Sequence, residues 1–190
     1  MVCTANMARS PLLALLLQDH ADRRLGVGAL TVGSAGIAAH SGDPAAPGSR
    51  WVAEGWGLSL EHHRARPLRL TPLQDVVLVL TMTRRQQRAV RRAYPEAAPR
   101  TFATRELMAV LEAADEPLPL GATTQARSPQ DRVRAITKAA NDRRPRTRLR
   151  SDLDIADPIG GDQEVFRRLG EELSEASKTL AATLFGPDLG

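Results

Sequence analysis

Cys3 and Arg9 stand five residues apart, and that pair can wrap a phosphate. The segment between them, Thr4-Ala5-Asn6-Met7-Ala8, can turn its backbone N–H groups inward as an anion nest. Ser10 and Pro11 follow at once and open a helix, whose positive dipole end adds to the same field. Arg9 supplies a planar fork suited to two phosphate oxygens. A cysteine in such a field is favoured as thiolate, the form that attacks phosphorus. A hydroxyl at Ser10 can hydrogen-bond the sulfur and assist departure of phosphate from it. The candidate phosphate-binding residues are therefore Thr4, Ala5, Asn6, Met7, Ala8, Arg9 and Ser10, with Cys3 as nucleophile.

The spacing alone is weak. Lys plus Arg number 26, with Lys138 and Lys178 the only lysines, so an arginine at any chosen position is unsurprising. A lone cysteine is more often a small buried hydrophobe than a nucleophile. The specificity comes from Asn6, from the Arg9-Ser10-Pro11 run, and from the helix that begins there.

The elements that must position this loop can be read from periodicity. Residues 10 to 24 predict a helix with Ser10 as N-cap and Pro11 in the first helical position. Leu12, Leu13, Leu15, Leu16 and Leu17 leave it little polar face. Residues 30 to 34 predict a short strand, and residues 49 to 56 a short helix carrying Trp51 and Val52. The unbroken apolar run at 75 to 81 predicts a strand buried on both faces, as in a parallel sheet. Residues 83 to 93 predict a surface helix with Arg84, Arg85, Arg88, Arg91 and Arg92 outward. A short strand at 100 to 103 leads to a helix at 105 to 113, and a further helix is predicted at 129 to 140. Residues 114 to 127 and 142 to 153 read as loops. Asp162 caps a last helix with Val165, Phe166, Leu169, Leu173, Ala176 and Leu180 at helical spacing. Strands alternating with helices give an α/β fold: a three-layer sandwich around a short parallel sheet. With 190 residues and 42% hydrophobic composition, one domain spanning 1–190 is expected.

The loop at 3 to 10 resembles the phosphate-binding loop of the low-molecular-weight protein tyrosine phosphatases, actinobacterial members above all. The resemblance continues through Ser34-Ala35-Gly36, Gly42-Asp43-Pro44, His63-Arg64-Ala65-Arg66 and residues 78 to 83. It ends on Asp157-Pro158 with Gly160 and Gly161, ahead of the last helix. The resemblance implies a flavodoxin-like phosphatase fold and hydrolysis of phosphotyrosine or aryl phosphate monoesters through a cysteinyl-phosphate. It also makes Asp157 the general acid, protonating the leaving oxygen and then activating water. Without that resemblance Asp157 reads as a turn initiator before proline, and Asp154 is the alternative carboxylate. Thiolate, loop amides, Arg9 and Asp157 cover every role, so no metal and no cofactor is implied.

Departures from the family pattern are local. Ala5 stands where the family usually has glycine. Ala8 stands where it usually has a second cysteine able to protect the nucleophile as a disulfide. Ile159 replaces an aromatic after Asp-Pro, and an aromatic is also missing near Ala39 and His40, so the walls of a phenol slot are changed. Only Met1 and Val2 precede Cys3, where a central strand of about 5–6 residues is expected. The first strand is therefore expected to be truncated, or the start to lie upstream.

Composition excludes other classes. The net charge is +4 and the sequence pI about 10.1, but 22 carboxylates are interspersed and aromatics are only 3%, which argues against nucleic-acid binding. The apolar run at 11 to 17 is at the lower limit for a signal peptide and no small-residue cleavage site follows it, and no stretch approaches a membrane span. One cysteine allows no internal disulfide, so a cytoplasmic location is expected. A thioredoxin-coupled arsenate reductase needs further cysteines. A phosphate-binding relative without turnover is the remaining alternative. The partner is a phosphotyrosine protein or small aryl phosphate; the oligomeric state is not encoded in any motif.

Overall fold

Leucines at 12, 13, 16 and 17 fall on one broad face, and the helix they form, α1 (Arg9–Leu25), buries nearly its whole first half. Leu12, Leu13 and Leu17 are at most 1% exposed, each stabilising by about 1.5–3 kcal/mol through burial. The structure, a computed structural model, describes residues 1–113, 126–147 and 152–187. In chain order its elements are β1 (Val2–Cys3), α1, β2 (Ala35–Gly36), α2 (Pro47–Gly55), β3 (Val79–Thr81), α3 (Arg84–Ala93), β4 (Thr101–Ala103), α4 (Thr104–Glu112), α5 (Pro129–Arg143) and α6 (Gln163–Phe185). Short 3-10 turns at Leu68–Leu70, Pro95–Arg100 and Arg144–Arg146 complete them.

The four strands form one parallel sheet in the order β2-β1-β3-β4. β1 is two residues long yet paired on both sides: Val2 sits opposite Ala35 and Thr81, and Cys3 opposite Gly36. Alternate residues feed two cores, as the pleat requires. Cys3, Leu80 and Phe102 join the larger cluster with α1, α5 and α6. Val2, Ala35 and Val79 join a smaller one closed by Leu68, Leu73, Val90 and Ala97. Apolar layers on both sheet faces give the three-layer sandwich expected, and the strand order is that of a flavodoxin-like fold.

Several elements differ from expectation for physical reasons. Residues 30 to 34 form no strand, because the Gln18 side chain occupies their backbone: Gln18 Nε2 donates to Leu30 O at 3.0 Å and Gln18 Oε1 accepts from Val32 N at 2.7 Å. The nearest strand is β2, further on. β3 covers only the end of the 75 to 81 run, since pairing to β4 begins at Val79 and pairing to β1 is confined to Thr81. α1 begins at Arg9 with Ala8 as N-cap, so Ser10 lies inside the first turn and does not cap it. α5 runs on to Arg143, and Arg144–Arg146 form a 3-10 turn, which shortens the loop expected at 142 to 153. The loop expected at 114 to 127 lies mostly outside the described residues.

α6 begins as expected: Asp162 Oδ1 accepts from Val165 N at 3.0 Å, and Phe166, Leu169, Leu173, Ala176 and Leu180 are buried while Val165 is 41% exposed. The helix packs along α1 and α2. Gly48 makes the latter approach possible, because a Cβ there would meet the Phe166 ring at 2.4 Å. Among the described residues no helix is long and apolar enough to cross a membrane.

Candidate active site

Cys3 stands at the carboxyl end of β1, where the strand order turns back between β1 and β3. Ligands of open α/β sheets bind at that position. The chain from Cys3 then curls into α1, and Asn6 makes the curl possible. Its φ of 58° is the one left-handed value among described non-glycine residues, a conformation asparagine tolerates better than most. The turned Asn6 places its backbone N–H 3.2 Å from Cys3 Sγ. Ser10 Oγ lies 3.0 Å from the same sulfur. Cys3 is buried and so are Arg9 and Ser10, which makes these contacts short-range and weakly screened.

Every polar group of Asn6 is used. Nδ2 donates to Ser10 Oγ at 3.0 Å and to Ser34 Oγ at 2.8 Å. Oδ1 accepts from Arg66 N at 2.9 Å, and the Asn6 carbonyl accepts from His63 Nε2 at 2.7 Å. Burial pushes His63 below the usual histidine value, against the effect of its bond to Asn6, and Arg66 and Arg64 push it further the same way. His63 is therefore a neutral donor at neutral pH. His62 is exposed.

Arg9 reaches across to the segment before α6. Nη1 donates to Ile155 O at 3.0 Å, and Nη2 pairs with Asp157 Oδ2. The Arg9 side chain is 5% exposed and that of Asp157 is 49% exposed. Arg9 Nε is buried with no partner among the described residues. An orphan donor in an otherwise bonded guanidinium is what an anion site leaves open. The first turn of α1 has no side-chain cap either, so its amides stay available to an anion. Asp154, the alternative carboxylate, is engaged elsewhere: its Oδ1 accepts from Arg84 N at 2.7 Å at the start of α3.

The structure thus brings Cys3, Asn6, Arg9, Ser10 and Asp157 into one cluster. Sequence reasoning assigned no role in the site to four supports of it: Ser34, Gly36, His63 and Gln86. Gly36 carries a detectable signal, since it ends a strand just before a turn. A Cβ at Gly36 would meet Thr4 O at 2.5 Å and Asn6 N at 2.9 Å. We expect Gly36→Ala to push on the loop backbone and lower kcat/KM on an aryl phosphate by roughly 10²-fold, the scale of a 1 Å misplacement. Unchanged steady-state kinetics in that variant would show the loop to be more compliant than drawn.

Comparisons with known proteins bear on the family and the fold. The family model for low molecular weight phosphotyrosine protein phosphatase matches residues 1–119. The low molecular weight protein-tyrosine-phosphatase Ptp of Acinetobacter johnsonii is 31% identical over 101 residues, 53% of this chain and 67% of that protein. Two solved structures resemble the fold over nearly all of the chain. The YwlE arginine phosphatase from Geobacillus stearothermophilus has a TM-score of 0.67 and 27% identity, covering 96% of this chain and 89% of its own. The low molecular weight protein tyrosine phosphatase from T. tengcongensis has a TM-score of 0.65 and 26% identity, covering 94% and 93%. With the parallel sheet, the loop after β1 and a family match over residues 1–119, the chain belongs to the low molecular weight phosphotyrosine protein phosphatase family.

Proposed function

We propose that this chain hydrolyses aryl phosphate monoesters, phosphotyrosine in proteins among them, through a cysteinyl-phosphate. The observation that carries the reading is the buried Cys3–Ser10–Asn6 cluster facing an Arg9 whose Nε lacks a partner. Arg9 and the loop amides of residues 4 to 10 hold the phosphate. Cys3 Sγ attacks phosphorus while the bond to the aryl oxygen breaks, and Asp157 gives that oxygen its proton. Water then attacks the phosphorus, Asp157 takes a proton from it, and the S–P bond breaks with its electron pair on sulfur. Ser10 Oγ stabilises the departing thiolate. Residues 1–190 act as one catalytic domain, in which the segment before α6 delivers Asp157 to the loop after β1.

A second reading concerns the substrate. Similarity to an arginine phosphatase extends over 96% of the chain, and Ile37 and Ile159 are exposed aliphatic residues, 38% and 55%. The exposed aliphatic residues favour a slender side chain such as phosphoarginine over a flat phenol. In that case the same steps cleave a P–N bond and Asp157 protonates nitrogen. The test is phosphate release, with a chelator present, from p-nitrophenyl phosphate and from matched phosphotyrosine and phosphoarginine peptides. We expect release that survives chelation, and the larger kcat/KM of the two peptides assigns the substrate class. Phosphate binding without release from any of the three would make the chain a binding relative.

A further inference from the structure

Gln86 is buried, 3% exposed, on a helix whose neighbouring arginines all face outward. Its Oε1 accepts from Met82 N at 3.1 Å and Thr83 N at 3.0 Å, and its own N–H donates to Thr83 Oγ1 at 3.2 Å. Those contacts form a capping box at the start of α3. A capping box uses only the acceptor end of the amide. The donor end, Nε2, reaches back to Thr4 Oγ1 at 3.0 Å, across 82 positions of sequence. Thr4 is exposed, directly follows Cys3, and has its carbonyl held by Ala38 N at 3.0 Å.

The geometry points to Gln86 as a positioning residue for the phosphate loop, stapling Thr4 at the end of β1 to the cap of α3 at the end of β3. This rests on the loop being the phosphate site. The Thr4 hydroxyl is one bond from Cβ, so fixing it restrains χ1 and with it the backbone between Cys3 and Ala5. The loop there makes its first turn around the anion. Without the staple, Thr4 is held through its carbonyl alone, and the amides that follow lose their aim.

Thr4→Val removes the acceptor and keeps the shape; Thr4→Ser restores it. Gln86→Met removes the donor together with the cap. Binding of inorganic phosphate to the full chain, measured by calorimetry, separates positioning from stability, which a melting curve reports. We expect Thr4→Val and Gln86→Met each to weaken phosphate binding by roughly 3- to 10-fold, the scale of one lost hydrogen bond. The double variant should be no weaker than the worse single one, and Thr4→Ser should bind like the parent. Gln86→Met should also melt lower, since it loses the cap. Parent-like phosphate affinity in Thr4→Val, or losses that multiply in the double variant, overturns the inference. Should Gln86→Met fail to fold, the Val and Ser pair at Thr4 still decides. A parent chain that binds no phosphate overturns the loop reading itself, and the inference with it.

Discussion

Cys3→Ser is expected to abolish turnover of aryl phosphates, by a factor on the order of 10⁶, as when the nucleophile of a covalent enzyme is removed. The Ser10 hydroxyl and the Asn6 amide are arranged around a sulfur at 3.0 and 3.2 Å. A serine oxygen inherits those donors but lacks a base beside it, because both contacts give hydrogen bonds to an anion there rather than withdraw a proton. The binding half of the site is untouched: Arg9, the turned loop and the uncapped first turn of α1 do not depend on sulfur. Inorganic phosphate should therefore still bind to Cys3→Ser in a calorimeter. Residual turnover near the parent rate would remove the cysteinyl-phosphate from the mechanism.

Asp157→Ala is expected to slow hydrolysis of phenyl phosphate, a poor leaving group, by roughly 10²–10⁴-fold, the range for general acid catalysis. Esters of strongly acidic phenols, which leave without a proton, should lose far less. The structure makes this a clean comparison. Asp157 is half exposed and, among the described residues, accepts only from Arg9 Nη2 and, at 3.4 Å, from Ile159 N, so its removal leaves the core intact. Equal losses on both esters would sink the acid role. Asp154→Ala should instead loosen the start of α3, whose Arg84 N–H it accepts.

What could be read in the sequence divides by range. Cys3, Arg9 and Ser10 were legible because the loop is local: eight consecutive residues leading into a leucine helix. Asp157 was singled out only through the family resemblance, because an Asp-Pro step by itself reads as a turn. Nothing local marks Gln86. On a helix reading Arg84-Arg85-Gln86-Gln87-Arg88, a glutamine looks like one more solvated residue, yet Gln86 and Gln87 are buried. Their partners, Thr4 for one and Thr101 and Glu106 for the other, come from other elements of the fold. His63 shows no role in the sequence because its partner is a backbone carbonyl 57 positions away, which no pattern of side chains announces. Residues 30 to 34 were misread as a strand because their composition suits one. The Gln18 side chain, projecting from α1, took the hydrogen bonds that a neighbouring strand would have made.

The pairing of Arg9 with Asp157 bears on how the site empties. A guanidinium 5% exposed is costly to leave without an anion. Between turnovers the Asp157 carboxylate fills that need, held by Arg9 Nη2. On the proposed mechanism, a phosphate entering the loop takes the open Arg9 Nε and the loop amides, and competes with Asp157 for Nη2. It exchanges with an anion that the protein carries itself. Every ligand anion, substrate and product alike, therefore binds more weakly than the loop and Arg9 alone would allow. Departing phosphate leaves behind no bare charge to draw it back, because the carboxylate returns on its own short tether. Substrate recovers the difference through contacts of its leaving group, which free phosphate does not possess. The tether thus biases the site toward esters over their common product, and inhibition by accumulated phosphate is correspondingly blunted.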